Sequence, residues 1–521
     1  MDPAANLKNP KQSISRDTLR VSFWTFTSRI FGLIRDAATT SLLGAGLAHD
    51  VFVVMLKIPN VFRRMVAEGA FNQAFIPVLV DYKKNKNTEE ITIFINKVFS
   101  LLAAAVLSIC LLAMIFAPLF ILVFAPGFYF DPEKKLLAID ILRITFPYLF
   151  FISLVALFGG ILNSFQRFSV PAATPIIFNL TIIISVIFAA DFFESPVYAI
   201  AIAVFLSGIF QFLFNLFALK NLNLIPRWNW DYRDSGVKKV YALMLPGLLS
   251  GGILQLNILI DTIFASLLQT GSPTWLYISD RLMQLPLGIF GIAIATVILP
   301  KLSENFSTHD SEEFNNRFNW ALQLIILISI PSAIGLYYLS GPIIETIFMR
   351  GEFSLKDAFM SAQSLQAFTY GLVAFMMIKV LNAGFFSRQD TKTPMVVTLF
   401  SFCVNILLNW YLAFYLNLGH VGLALGSSLA AILSALILIF VLVKKSILKV
   451  FSSWVLFLLR VSLGTIFLIM MLEFISPIWF SWTQYSLGIQ IAYLTAIICS
   501  SVMIYFSTLF VTGLKLSFFR V

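Results

Sequence analysis

Charge is the scarcest thing in this sequence. Asp, Glu, Lys and Arg make up 12% of its 521 residues, against about a quarter in an ordinary globular chain. Histidine occurs only at His49, His309 and His420, far apart and without ligand spacing, so a histidine metal centre is not expected. Cys110, Cys403 and Cys499 all fall inside apolar stretches, which argues against a disulfide framework or a zinc site and makes them packing residues. No connection is long enough for a soluble catalytic domain and no Walker A loop is present, so an enzyme is not expected. The N-terminal stretch lacks the short apolar core and small-residue cleavage site of a signal peptide, and the first span is expected to remain in the mature protein.

What the chain has in abundance is apolar length. Hydrophobic residues make up 59% and the mean hydropathy is +0.89. Runs long enough to cross about 30 Å of hydrocarbon as a helix recur throughout. Fourteen are expected, near 18–46, 49–70, 91–125, 136–165, 170–191, 196–221, 236–268, 273–300, 315–340, 357–387, 393–416, 420–443, 450–475 and 484–513. Alternate connections and the termini hold 22 Lys and Arg residues, the others only Lys134, Lys135, Arg350 and Lys356. Cytoplasmic loops collect cations, so both termini are placed in the cytoplasm. The net charge of +10 is largely this topological signal and does not point to nucleic acid.

A weak internal repeat organises the spans. Asp36, Ser41, Leu42, Leu43 and Gly46 match Asp261, Ser266, Leu267, Leu268 and Gly271; Leu162, Asn163, Thr174 and Pro175 match Leu381, Asn382, Thr393 and Pro394. Spans 1–6 and 7–12 then form two copies, and an even number of spans gives both the same orientation, as in parallel-repeat transporters. The expected fold is an all-α polytopic membrane protein. It has two six-helix lobes, 1–225 and 226–446, related by a pseudo-twofold axis along the membrane normal, and two further helices in 447–521.

Against this apolar background, Arg29, Arg35, Lys57, Arg63 and Arg64 stand within the first two spans. A charge at the bilayer centre costs about 2.5 to 3.5 kcal/mol on insertion scales, which makes such a cluster a functional-site hypothesis. Arg29 and Asp36 share a helix face, with Arg35 adjacent. Lys57, Asn60, Arg64 and Glu68 form one polar stripe if span two is a continuous helix, and Pro59 can open its backbone. One reading is a cationic site, with arginine forks for a phosphate and lysine as a point charge. The other makes Arg63 and Arg64 interfacial snorkellers and lets Arg35 and Asp36 neutralise each other. The second copy is poorer in charge. It carries Asp261, with Asn257 one turn earlier, and the adjacent Asp280 and Arg281, which are either a site or a private salt bridge. Asn405 and Asn409 share a face. Asp261 with these amides is either a hard-cation site or a set of interhelix bonds. Lys97, Arg143, Lys379 and Arg460 stand alone and read as snorkelling or helix-end charges.

The stretch Ser28-Arg29-Ile-Phe-Gly32-Leu-Ile-Arg35-Asp36, the stretch from Pro59-Asn60-Val-Phe-Arg63-Arg64 through Glu68-Gly69 to Pro77, Asp280-Arg281 to Gly288, Pro300 to Ser303, and Phe386 to Pro394 together resemble the MurJ/MviN lipid II flippases. The likeness runs from about residue 18 into the twelfth span. It implies the fold shared with multidrug exporters and polysaccharide flippases, and the task of moving undecaprenyl-pyrophosphate-linked peptidoglycan precursor to the outer leaflet of the bacterial inner membrane by alternating access. It further implies that Arg29, Arg35, Arg63 and Arg281 line a central cavity with acidic partners at Asp36 and Asp50. A sodium site would fall on Asp261, Asn405 and Asn409, with Asn409 standing where an acid can occur. A cation, a proton or the membrane potential would reset the cycle, and spans 13 and 14 would form an apolar groove for the lipid tail. Membrane lipids and cell-wall synthases are the further partners. The competing functions are a flippase for another polyprenyl-linked saccharide, a cation-coupled exporter, and a non-transporting scaffold for wall synthesis. An exporter of cationic drugs favours buried carboxylates, contrary to the sign of this cluster.

Overall fold

The computed structural model describes residues 10–65, 71–231, 233–448 and 453–519. Among these residues the protein is helical and has no strand. In chain order the first eleven helices are α1 (Pro10–Leu43), α2 (Leu47–Phe62), α3 (Phe71–Asn85), α4 (Thr88–Ile115), α5 (Ala117–Phe124), α6 (Pro126–Tyr129), α7 (Pro132–Thr145), α8 (Tyr148–Ser164), α9 (Ser169–Phe188), α10 (Pro196–Lys220) and α11 (Ser235–Ser266). The next nine are α12 (Ser272–Pro286), α13 (Ile292–Ser307), α14 (Ser311–Tyr338), α15 (Ser340–Phe348), α16 (Leu355–Phe386), α17 (Lys392–Trp410), α18 (Gly419–Lys444), α19 (Ser453–Ile475) and α20 (Leu487–Val511).

Among the described residues, every expected span falls largely on helix. Eleven stretches are long and apolar enough to cross a membrane by length and composition. Three expected spans are not among them, for local reasons. The charges of α1 interrupt it, α2 ends at Phe62, and side chains 245–254 of α11 lie outside the described set. Proline explains most breaks within spans. Pro147 has no N–H to continue α7 and marks the start of α8, while Pro118 sits in the first turn of α5, where a missing donor costs nothing. The helix α3 falls where the sequence suggested only a connection; its apolar residues Phe71, Ala74, Phe75, Val78 and Leu79 are buried.

The repeat is visible in the spacing of elements. Thr88 and Ser311, Ala117 and Ser340, Pro132 and Leu355, Ser169 and Lys392, and Pro196 and Gly419 begin corresponding helices, the members of each pair standing 223 positions apart. Wide helical turns also recur. Residues 63–65 follow α2, and Leu287–Gly291 joins α12 to α13. By packing, the chain forms two compact units, Met1–Leu267 and Leu268–Val521. Helix α11, the counterpart of α1 in the repeat, belongs to the first, where it packs on α2 and α3.

In the second unit α16 is central, packed by α12, α14 and α18. Gly371 lets α16 and α18 approach so closely that a Cβ there would stand 2.6 Å from the Ser428 Cα. Small residues serve membrane helices in this way, by letting backbones meet. Helices α19 and α20, with the segment Ser476–Gln484 between them, pack on α14 and α15 through Phe457, Leu468, Trp482 and Tyr505. Their polar tips are satisfied as well: Trp482 Nε1 donates to Thr346 Oγ1 at 3.0 Å and the Tyr505 hydroxyl to the Leu327 carbonyl at 3.1 Å.

In the first unit the connection between α10 and α11 is strapped to α4. The backbone N–H of Arg227 donates to Asn96 Oδ1 at 2.7 Å and that of Asn229 to Ser100 Oγ at 2.7 Å. Lys97 is therefore not an isolated charge, because its ammonium pairs with Asp231 and Asp234, each at 2.9 Å. Asp234 also caps α11, accepting from Gly236 and Val237 N–H. The hydrogen bond from Lys97 draws the Asp231 carboxyl below its ordinary range. Burial pushes Asp234 up, but Lys97 and the capping N–H groups outweigh it and the net shift is also downward.

A folded-state value below the unfolded one means that these carboxylates stabilise the protein above about pH 4 and lose that contribution as pH falls through the lowered values. Asp234→Ala should lower stability in detergent by about 1 kcal/mol from the lost cap alone. Asp234→Asn, which keeps a capping oxygen, should cost less, and thermal unfolding of the purified variants at neutral pH compares them.

Candidate functional site

Helix α1 ends because Gly44 adopts a left-handed φ of 60°, and Gly46 then starts α2 three residues after Leu43. The tight turn brings the last turns of α1 near the first turn of α2. Asp36, His49 and Asp50 are all buried there, and His49 lies within the electrostatic reach of Asp36 and Arg35.

Arg35 is the best-defined cation of the cluster. Its Nε donates to Asp36 Oδ1 at 2.9 Å and its Nη2 contacts the same oxygen. Its Nη1 reaches α9, donating to Asn179 Oδ1 at 3.1 Å. The guanidinium also lies over the Phe178 ring, 5.3 Å from its centroid. Asn179 completes a bracket by donating from Nδ2 to the Ser28 carbonyl on α1 at 3.2 Å. The pairing of Arg35 with Asp36, one of the two alternatives left open by the sequence, is thus formed, and it is joined to α9 by an amide that the sequence reading passed over. An asparagine inside the otherwise apolar stretch 170–191 was the available signal.

Arg29 lies on α1, six residues before Arg35, and is partly exposed. Lys57 and Asn60 fall in the second half of α2, while Arg63 and Arg64 fall on the wide turn that follows. Arg63 Nε donates to Asn60 Oδ1 at 3.2 Å, so a residue in the last turn of α2 steadies the first arginine of the wide turn. A wide turn carries more residues than an α-helical one, so Lys57, Asn60 and Arg64 do not share one uninterrupted α-helical face. Glu68 lies outside the described residues. Arg64 is exposed and Arg63 only partly so.

In the second unit Asp280 and Arg281 are partly buried neighbours on α12, and Asp280 Oδ2 accepts from Gln284 Nε2 at 2.5 Å. Asn405 and Asn409 are buried on α17. Asn409 Nδ2 donates to Asn405 Oδ1 at 3.1 Å and Asn405 Nδ2 to Ser427 Oγ of α18 at 3.4 Å. These amides act as an interhelix bracket.

Asp261 lies on α11 of the first unit, one turn after Asn257, whose buried Oδ1 has no hydrogen-bond partner. A carboxylate and a bare amide oxygen on one helix suit a hard cation's preference for oxygen. Among the described residues there is no group of three or more His, Cys, Asp or Glu that could hold a metal. Any cation at Asp261 would draw on amide and backbone oxygens.

Comparison with known proteins matches residues 39–510 to the family described as lipid II flippase MurJ. A probable lipid II flippase MurJ of Haemophilus influenzae is 37% identical over 504 residues, covering 94% of this chain and 98% of the relative. One of Vibrio cholerae is 41% identical, covering 80% and 81%. The lipid II flippase MurJ of Burkholderia cenocepacia is 34% identical, covering 98% and 99%. Among solved structures, a lipid II flippase MurJ in an inward closed conformation superposes with a TM-score of 0.77 at 27% identity, covering 94% of this chain and 97% of that one. An inward-facing multidrug transporter of the MATE family shares the fold at 15% identity, with a TM-score of 0.66 over 83% of this chain and 98% of that one. The match over most of the chain, with relatives above 30% identity along nearly their full length, means that this multi-pass membrane protein belongs to the MurJ lipid II flippase family.

Proposed function

We propose that this protein moves lipid II, the undecaprenyl-pyrophosphate-linked peptidoglycan precursor, from the cytoplasmic to the outer leaflet of the bacterial inner membrane by alternating access. Both termini lie in the cytoplasm in this reading, which the alternation of Lys and Arg along the loops supports. The observation that carries it is the bracketed Arg35, a guanidinium fixed within an apolar unit of a chain from this family.

A pyrophosphate is recognised by forked, charge-assisted hydrogen bonds, which cost less when the fork is already oriented. Asp36 and Asn179 orient Arg35, and Asn60 orients Arg63. Arg29, and Arg281 in the second unit, complete the set we assign to the substrate. Lys57 and Arg64 add positive potential, which Asp36, Asp50 and Asp280 limit, so the anion is held without becoming trapped. Headgroup affinity must differ between the inward-open and outward-open states, because a ligand shifts an equilibrium only by its differential affinity. The lipid tail stays in the bilayer against α19 and α20, and a cation or the membrane potential resets the cycle. Asp261 with Asn257 is the place we assign to such a cation.

In a host depleted of its own copy, Arg29→Ala, Arg63→Ala and Arg281→Ala should each fail to restore growth at wild-type protein level. Normal rescue by all three removes the assigned residues, whereas undiminished precursor translocation in depleted cells refutes the function. Arg35→Ala takes from the buried Asp36 the guanidinium that holds it, a loss of about 3 to 5 kcal/mol for a buried pair. Arg35→Met with Asp36→Asn should recover most of that stability in thermal unfolding without recovering transport. Recovery of transport too would make the pair purely structural. Sodium should raise the melting temperature of the wild type and leave Asp261→Asn unchanged; equal responses would discard Asp261 as the cation's place.

A further inference from the structure

The strap between α10 and α11 presents an unusual surface. Arg227 and Asn229 turn their N–H groups to α4, and alternate side chains of an extended segment share one face. Trp228 and Trp230 are such a pair, stacked with ring centroids 6.2 Å apart. Trp228 is 62% exposed and Trp230 54%. Ile225 at one end of the strap and Tyr241 on α11 are also exposed.

The face of α4 that the strap covers identifies its surroundings. Lys97 and Ile115 are eighteen residues apart, five full turns, and Ser100 and Leu111 eleven, close to three. Leu107, Leu111 and Ile115 are exposed on that same arc, within a helix apolar enough to span the membrane. The face that carries Asn96, Lys97 and Ser100 toward the cytoplasmic end therefore continues as a lipid-facing surface. Without the strap these three polar side chains would look into the same lipid. With it, each has a partner in the strap or in the Asp234 cap, and what faces outward instead is a pair of indoles.

Indole rings of this kind collect at membrane–water interfaces, where an apolar body and a polar N–H are both accommodated. The charges nearby have one dominant sign. Lys220, Arg227, Arg233, Lys238 and Lys239 lie in or beside the strap in sequence, Lys239 pairing with Asp81 at 3.6 Å, while the strap's acids Asp231 and Asp234 are tied to Lys97. Clustered cations beside a membrane-spanning helix are attracted to the anionic headgroups of the cytoplasmic leaflet.

We propose that the 222–234 connection is a lipid-binding strap: Trp228 and Trp230 seat in the cytoplasmic leaflet beside α4, and the surrounding cations select anionic phospholipid headgroups. The ligand class is a lipid surface rather than a soluble protein, because the indoles extend the apolar face of α4 and the cations border that face.

The test uses the full chain in vesicles of phosphatidylcholine mixed with phosphatidylglycerol. The chain has nine tryptophans, so the signal of this pair is taken as wild type minus Trp228→Phe/Trp230→Phe, which keeps two aromatic rings in place. Each single substitution gives the same difference if the double variant yields poorly. Phosphatidylcholine bearing a nitroxide near the top of its acyl chain should quench the difference fluorescence, and iodide on both sides of the vesicle should quench it weakly. Replacing phosphatidylglycerol with phosphatidylcholine should reduce the lipid quenching and increase the iodide quenching. Strong iodide quenching with none from the nitroxide lipid overturns the proposal and leaves the pair as a surface open to the cytosol, available to a protein partner. Equal lipid quenching in both vesicle types overturns the selection of anionic headgroups.

Discussion

The protein is built around a single constraint: a polar group placed among apolar helices must be met by another polar group, because lipid offers none. Arg35 shows how this constraint is satisfied. Its charge is matched by Asp36 on the same turn and its geometry by Asn179 on α9, which in turn holds the carbonyl of Ser28. The arginine, its counter-ion and the packing of α1 on α9 are thereby one arrangement. Asn405, Asn409 and Ser427 repeat the solution without charge in the second unit, and Lys97 with Asp231 and Asp234 repeats it in the first half of α4.

The placement of the apolar spans along the chain was legible because hydropathy and loop charge are summed over many residues. The fourteen expected spans all meet helix for that reason. The interruptions were less legible. Nothing in the periodicity of 49–70 announces that α2 ends at Phe62 and passes into a wide turn, since an added residue leaves an apolar run equally apolar. Helix α3 was hidden for a related reason. It is half apolar and ends in Lys83 and Lys84, which resembles a cytoplasmic connection until its packing on α8 and α11 is seen.

The candidate site divides in the same way. Which residues carry charge in the membrane could be read directly, since each is an exception in its surroundings. Their partners could not be read, because partnership is set by helices distant in sequence. Asn179 is 144 positions from Arg35, and Lys97 looked solitary until the strap folded onto it. An uncharged polar residue inside a span is the weaker but more useful mark. Asn179, Asn215 and Asn257 all sit in such positions, and the first two already serve as interhelix connectors.

The common interval between five pairs of corresponding helices carries a historical consequence. Five helix starts have kept one spacing across the two copies, while the copies retain little of each other's sequence and differ sharply in buried charge. Exchanging one apolar residue for another leaves a helix at the same depth. Lengthening a loop or helix by a residue changes where everything after it meets the membrane surface. Length was therefore inherited under stricter control than identity. In a duplicated membrane fold the metre survives after the words have changed, and the freedom to charge one copy and not the other came with it.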